Sequence, residues 1–553
     1  MKKSICVLLC FVLLALSAVP AFAAVAPWRT GSQTPIVFLA GDGEAIYNEN
    51  DEVILKISES GLLGLFTGKT GGKDSDNSEL YTSIANVLQP FLIDGLLTDN
   101  WEPYYENLEK EIGDLFATGK LDENGNAPAG TGISSGRRAQ NESSRHNANK
   151  GSDGYDFYSH WFWYDWRLDP LEIAVQLHDY ITDVKAACHT DKVALASACL
   201  GTNVVLAYLS LYGTEDLSGL GMIASLAKGS EFLSQAISGR FHIDMDGLNR
   251  ILTDTDAIDR FEMPAFATAT IDLLSKSGFF GALTDSFKKR IYSKVIEGVT
   301  SAIAMSTIFT MPCYWGCVAD EDFDNALLYV FGPEGSEKRE KYAGLIEKIN
   351  NYHNRVAKEA DNLLLAAKAD NVNLALLCKY GFQMVPICEE SYLVSDQYVS
   401  VKNASFGATT STIFDTLSDD YIAAQEAAGL GKYISPDKQI DASTCLLPDC
   451  TWFTKNSPHT LRTDAEVSIM YSVMTADHQL TPEDFIYGRY LVYNTETKEM
   501  APMTTENCNT EHWTQDEMKQ PTPDKKATIF TGLLSFFKWM IELYKLLKTK
   551  LAK

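Results

Sequence analysis

Basic residues are scarce in this chain, and long apolar runs are scarcer. Lys and Arg number 47 against 73 Asp and Glu in 553 residues, a formal charge of −26. A surface of that sign does not neutralise phosphates, so nucleic acid is not an expected partner. Beyond residue 23 no unbroken apolar stretch reaches the ~18 residues that a spanning helix needs. There is no P-loop, no glycine fingerprint for dinucleotides, no HExxH, no EF-hand loop and no CxxC pair, so neither a metal nor an organic cofactor is called for. No internal repeat is visible, which removes solenoids and propellers. What is present is 45% apolar and 11% aromatic residues, a globular composition with ample material for a core.

The first residues read as an address. Lys2 and Lys3 precede an apolar run from Ile5 to Leu16, and Ala21-Phe22-Ala23 is a small-x-small cleavage signal. The mature chain is expected to begin near Ala24, and the protein to be secreted or extracytoplasmic. Eleven Cys less Cys6 and Cys10 of the leader leave nine, an odd number. With Cys199 free, the other eight could form up to four disulfides. The spacings Cys313/Cys317 and Cys445/Cys450 lack a His pair that would make them zinc sites, so structural Cys or disulfides are expected there.

Pro35 to Ala40 (PIVFLA) reads as a buried strand ending in the turn Gly41-Asp42-Gly43. Residues 120 to 154 are rich in Gly, Asn, Ser and Ala and read as a long surface loop or a mobile insertion. An aromatic burst follows at 155 to 170, for which core is the plain reading. Lys192 to Ser197 is a second buried strand, and Gly201 to Gly213 continues with helical spacing after only Ala198 to Leu200. Residues 241 to 370 turn mostly helical. Strand-like runs return at Leu374–Cys378, Phe382–Ile387 and Thr451–Lys455. Strands alternating with helices around a helical block predict an α/β sheet with an inserted cap. After a Pro-rich linker at 519 to 524, Thr528 to Lys553 carries one apolar face, and from Lys525 onward seven Lys stand against one Glu. Such a basic amphipathic helix fits either the plane of a membrane interface or docking on its own domain or a partner.

The short turn at 198 to 200 is where chemistry is expected. A nucleophile elbow of the form G-x-S-x-G needs small residues beside the nucleophile, because strand and helix backbones nearly touch there. Here those slots read Ser197-Ala198-Cys199-Leu200-Gly201. Cys199 occupies the nucleophile slot, at the positive end of a helix dipole, a setting that favours thiolates in general.

Four segments resemble the lecithin:cholesterol acyltransferase family and its lysosomal-type phospholipase and bacterial lipase-like relatives. They are PIVFLAGDGEA at 35 to 45, YDWRLDP at 164 to 170, KVALASACLGTNVVLAYL at 192 to 209 and SDQYVSV at 395 to 401. The resemblance covers roughly residues 30 to 460 and implies an α/β-hydrolase core with a mostly helical cap and lid over an acyl pocket. With the leader and tail read above, it divides the chain into a signal peptide at 1–23, a first half of the core at 24–240, a helical cap/lid insertion at 241–370, a second half at 371–518, and a linker with basic helix at 519–553. It implies a triad of Cys199, Asp396 and His459, in the order nucleophile, acid, base that such hydrolases follow. Asp441 is the runner-up acid; His478 and His512 also lie downstream, but neither directly follows a strand. The oxyanion would be held by the backbone N–H of Leu200 and by the turn at Asp42 and Gly43.

The implied activity is hydrolysis or O-acyl transfer on acyl esters or lipids through a covalent acyl-enzyme. Two departures from the pattern favour an alternative, a catalytically inactive lipid- or surface-binding protein on the same scaffold: Ser197 and Gln397 stand where the motif has Gly. A third class is a membrane-surface protein whose main property is the C-terminal helix.

Overall fold

The computed structural model describes residues 34–508 apart from 42–43, 56–85, 88–89, 149–159, 243, 245–284, 307, 414, 460 and 495–496. The leader, the expected linker and basic helix at 519–553, His512 and the expected turn at Asp42-Gly43 all lie outside the described residues.

Eight strands form one sheet. They are β1 (Ile36–Leu39), β2 (His160–Trp161), β3 (Val193–Ala198), β4 (Leu217–Ile223), β5 (Asn373–Tyr380), β6 (Thr451–Lys455), β7 (Tyr490–Tyr493) and β8 (Met500–Pro502). Their spatial order is β2-β1-β3-β4-β5-β6-β7-β8. Every neighbouring pair is parallel except β7 with β8. The protein is therefore an α/β protein built on a mostly parallel sheet with flanking helices.

The strand sequences explain this burial. IVFL, VALASA and NLALLCKY are buried at every position, as expected where helices cover both faces of a parallel sheet. Successive side chains alternate between two cores. Val37, Leu39, Leu195 and Leu376 join one, while Ile36, Phe38, Ala196 and Leu377 join the other. The first core is closed by α1 (Pro170–Cys188) and α2 (Gly201–Tyr212). The second is closed by α3 (Asp464–Thr475), through Ile469, Met470, Val473 and Met474. Gly219 and Gly221 of β4 let that helix come close, since a Cβ on Gly219 would collide with the Met474 carbonyl oxygen.

Between β4 and β5 the described chain is helical, as the pattern predicts. Part of it packs around a smaller core of its own that includes Ile237, Phe309, Trp315, Phe331 and Leu345. No helix among the described residues is long and apolar enough to cross a membrane.

Two expectations are corrected. First, no disulfide joins any of the nine Cys outside the leader, so the possible disulfide framework is not formed. Eight of them are buried and serve as small apolar side chains; burial pushes the Cys445 thiol up to about 12. Second, the expected loop at 120 to 154 contains the helix Ser135–Arg145, capped where the Ser134 hydroxyl accepts the Arg137 N–H. Its buried face is polar, which hides the periodicity. Asn141 donates to the Trp163 carbonyl at 2.6 Å and accepts the Trp163 N–H at 2.8 Å, tying the helix to the chain leaving β2.

That pairing makes a prediction. Asn141→Ala removes both bonds and leaves buried main-chain groups unpaired, which should lower the unfolding free energy by about 1–3 kcal/mol. Urea titration reads this; an unchanged midpoint would show that the helix is held by other contacts.

Candidate active site

In an open α/β sheet, ligands bind at the carboxyl ends of the strands where the strand order reverses. Here the chain runs from β1 outward to β2 and then returns across β1 to β3, so the reversal lies between β1 and β3. Gly41 follows β1 and Cys199 follows β3, and both leave the sheet at that point.

Cys199 has φ +52°, a left-handed conformation that costs a non-glycine residue about 1–2 kcal/mol. Hydrogen bonds hold it there. Its N–H donates to the Ile223 carbonyl at 3.2 Å. Its carbonyl accepts the Thr202 N–H at 3.1 Å and the Thr202 hydroxyl at 2.7 Å. A Cβ at Gly41 would stand 2.8 Å from Cys199 Cβ and 3.0 Å from its sulfur, and one at Gly201 would stand 2.8 Å from the Ala40 carbonyl oxygen. Only glycine allows β1, β3 and α2 to meet this closely. Ser197, in a slot where the motif has Gly, is fully buried and donates its hydroxyl to the Gly221 carbonyl at 3.2 Å. Cys199 is the one partly exposed cysteine among the nine.

The acid comes from the loop after β5. A short hairpin, Phe382–Gln383 with Val394–Ser395, ends at Asp396. Asp396 is fully buried. Its Oδ1 accepts the N–H groups of Tyr398 and Val399, each at 3.0 Å, and its Oδ2 accepts from His459 Nδ1 at 2.7 Å. Gln397 adopts φ +90°, so the place where the motif has Gly does need a left-handed backbone. The tight loop forms with a side chain present. Asp441 is not brought to His459; it accepts from the Tyr421 hydroxyl and the Ser443 N–H, both at 2.8 Å.

The base follows β6. His459 is 5% exposed, and its Nε2 is buried without a hydrogen-bond partner of good geometry. The Tyr398 ring lies against it, centroids 4.9 Å apart. Burial is the largest single influence and disfavours the imidazolium, but the Asp396 carboxylate and the Cys199 sulfur together outweigh it and hold the ring well above its ordinary value of 6.5. Cys199, Asp396 and His459 are thus brought together. His478 is not; it is exposed and pairs with Asp477 at 2.5 Å.

The Leu200 N–H donates to no backbone carbonyl among the described residues. A Cβ on Gly41 would lie 3.3 Å from it, so this N–H faces the chain leaving β1. Sequence reasoning missed what braces that chain. The Tyr164 hydroxyl donates to the Ala40 carbonyl, and the Trp166 indole N–H donates to the Glu44 carbonyl at 2.8 Å. Arg137 pairs with Glu44 at 3.0 Å and stacks 3.6 Å over Trp163. YDWRLDP was the available signal: its aromatic residues flank the turn, and its fully buried Arg167 is pinned by Asp165 at 2.6 Å. The acid loop is braced as well: Ser230 donates to the Tyr398 carbonyl at 2.6 Å, and Glu231 accepts the Ser400 N–H at 3.1 Å.

Among the described residues no group of three or more His, Cys, Asp or Glu is placed to hold a metal. The chain matches no family model, no curated protein and no solved structure. The geometry therefore carries the functional argument by itself.

The His459 shift has a sign. Its folded pKa exceeds the unfolded value near 6.5, so its stabilisation is complete below that pH and is lost as pH rises through the folded value. Above the ordinary imidazole range, unfolding free energy should fall more steeply with pH for the protein than for His459→Gln. Denaturant titrations across that range check it; parallel curves would remove the charged imidazole from the account.

Proposed function

We propose that this chain is an exported acyl hydrolase or O-acyltransferase of the α/β-hydrolase type, similar to the lecithin:cholesterol acyltransferase family, acting on acyl esters of lipid character. The observation that carries the proposal is the convergence of a strained Cys199, the His459 imidazole and the Asp396 carboxylate at the strand ends of one sheet, in the chain order of that class. The sheet order and the helical segment between β4 and β5 fit a hydrolase core with a cap. The leader motif supports export.

The chemistry follows from the geometry. His459, oriented by Asp396, holds the proton of the Cys199 thiol, and the sulfur attacks the ester carbonyl. The Leu200 N–H receives the oxyanion, with the Asp42-Gly43 turn as its expected partner. Collapse breaks the carbon–oxygen bond, and His459 Nε2 gives its proton to the departing alcohol. A thioester on Cys199 remains. Water, or an alcohol in a transferase reaction, then attacks with His459 as base, and the acid or new ester departs as the sulfur is regenerated. Sulfur leaves a tetrahedral intermediate more readily than an alkoxide, so activated esters, thioesters and lactones are the favoured donors.

An inactive scaffold was favoured by Ser197 and Gln397. Both weigh less against catalysis once Ser197 has a hydrogen-bond acceptor and Gln397 takes the left-handed backbone.

An activated acyl ester followed by mass spectrometry of the peptides tests the proposal. A single acyl adduct should appear on Cys199 and vanish in Cys199→Ala. Asp396→Asn should lower kcat by roughly 10³–10⁴-fold with the fold retained. Labelling that survives in Cys199→Ala, or turnover indifferent to Asp396, would falsify the triad.

A further inference from the structure

We propose that a buried ion pair, Lys379 with Glu466, is a positioning device for His459: it grips the chain on both sides of the imidazole and sets where the ring lies against Asp396 and Cys199. This rests on the triad proposed above.

Lys379 stands in the middle of the sheet on β5, and Glu466 in the first turn of α3; both side chains are fully buried. The ammonium lies 3.6 Å from Glu466 Oε2 and donates to the Pro458 carbonyl at 3.2 Å. Pro458 is the residue before His459. Glu466 Oε1 accepts from the Ser457 hydroxyl at 3.4 Å. Its Oε2 accepts the Thr463 N–H at 2.9 Å and the Thr463 hydroxyl at 3.0 Å. The pair thus holds the backbone immediately before His459 and again four residues after it.

A helix cap alone would explain Glu466 meeting Thr463. It does not explain an ammonium with no solvent contact inside a sheet. Desolvating two charges is expensive, and an apolar pair of similar volume is often as stabilising or more so. Stability is therefore a weak reason for this pair. What an apolar pair would lack is a donor for the Pro458 carbonyl and an acceptor for Ser457. The charged groups facing Lys379 are Glu466, Arg462 and Asp396; burial works against its ammonium, while Glu466 and Asp396 favour it. The same cation therefore lies within electrostatic reach of the acid that orients His459.

The test uses the full-length protein and three readouts: the melting midpoint, the far-downfield proton resonance of the His459 Nδ1–H donated to Asp396, and kcat and KM for a p-nitrophenyl acyl ester. In the wild type the resonance should disappear in Asp396→Asn. Lys379→Met leaves Glu466 unpaired and destabilises the fold, so the deciding variant is Lys379→Met with Glu466→Leu. It should melt close to the wild type, yet lose or displace the downfield resonance. Its kcat should fall about a hundredfold, as for a reacting group misplaced by roughly 1 Å, with KM changed by less than about threefold. An unchanged resonance and kcat in the double variant overturns the proposal. So does failure of that variant to fold, which would make the pair part of what joins sheet to helix. A wild type that shows the resonance but turns over no acyl ester overturns the function instead, and the resonance in the double variant still decides the positioning.

Discussion

A cysteine held at φ +52° between a buried strand and a helix leaves no room around it. The chain leaving β1 must pass it as glycine at position 41, and the helix must begin with glycine at 201. Strain of this kind persists only where the surroundings over-determine it. Here the carbonyl of Ile223 and the hydroxyl of Thr202 pin the bend, and two flanking strands fix the ends of β3. The benefit is geometric. A thiol on such a bend is presented beside the Leu200 N–H, at the reversal of strand order.

The charges near that bend are arranged by the same sheet. Asp396 receives two main-chain N–H groups on one oxygen and the imidazole on the other, so its carboxylate is fully solvated by protein. Its charge offsets the burial of His459, and the sulfur adds to it. Each member of the triad is also held from behind: the bend by β4, the acid loop by Ser230 and Glu231, and the His loop by Lys379 and Glu466. Polar groups this deep persist only when each finds partners, and most of these find theirs in the loops that carry the triad.

Much of the site was legible in the residue string, for local reasons. Small residues around Cys199 mark an elbow because the crowding is between chain neighbours. Thr451 to Lys455 followed by His459 marks a strand and its loop because the turn is short. Asp396 was readable beside Asp441 through the motif around it, and the contact that separates the two carboxylates joins residues 63 positions apart. The helix at Ser135–Arg145 was not legible, since its buried face is built of Asn141, which hydrogen-bonds the chain after β2, and Ser144, which bonds the Asn141 carbonyl and the Tyr180 hydroxyl, in place of apolar packing. The cysteines misled for a related reason: an odd count with even remainders suggests bridges, whereas these thiols are spread through the cores as apolar side chains.

The sequence alone determined the α/β class, the leader motif and the position of the elbow, because continuous apolar runs, a charged start and a crowded turn are all properties of neighbouring residues. Tertiary structure alone decided which carboxylate meets His459, which aromatic residues brace the chain leaving β1, and that a buried Lys379 lies under the histidine loop. Those are contacts between strands distant in the chain, and nothing short of the closed sheet brings them within hydrogen-bonding range.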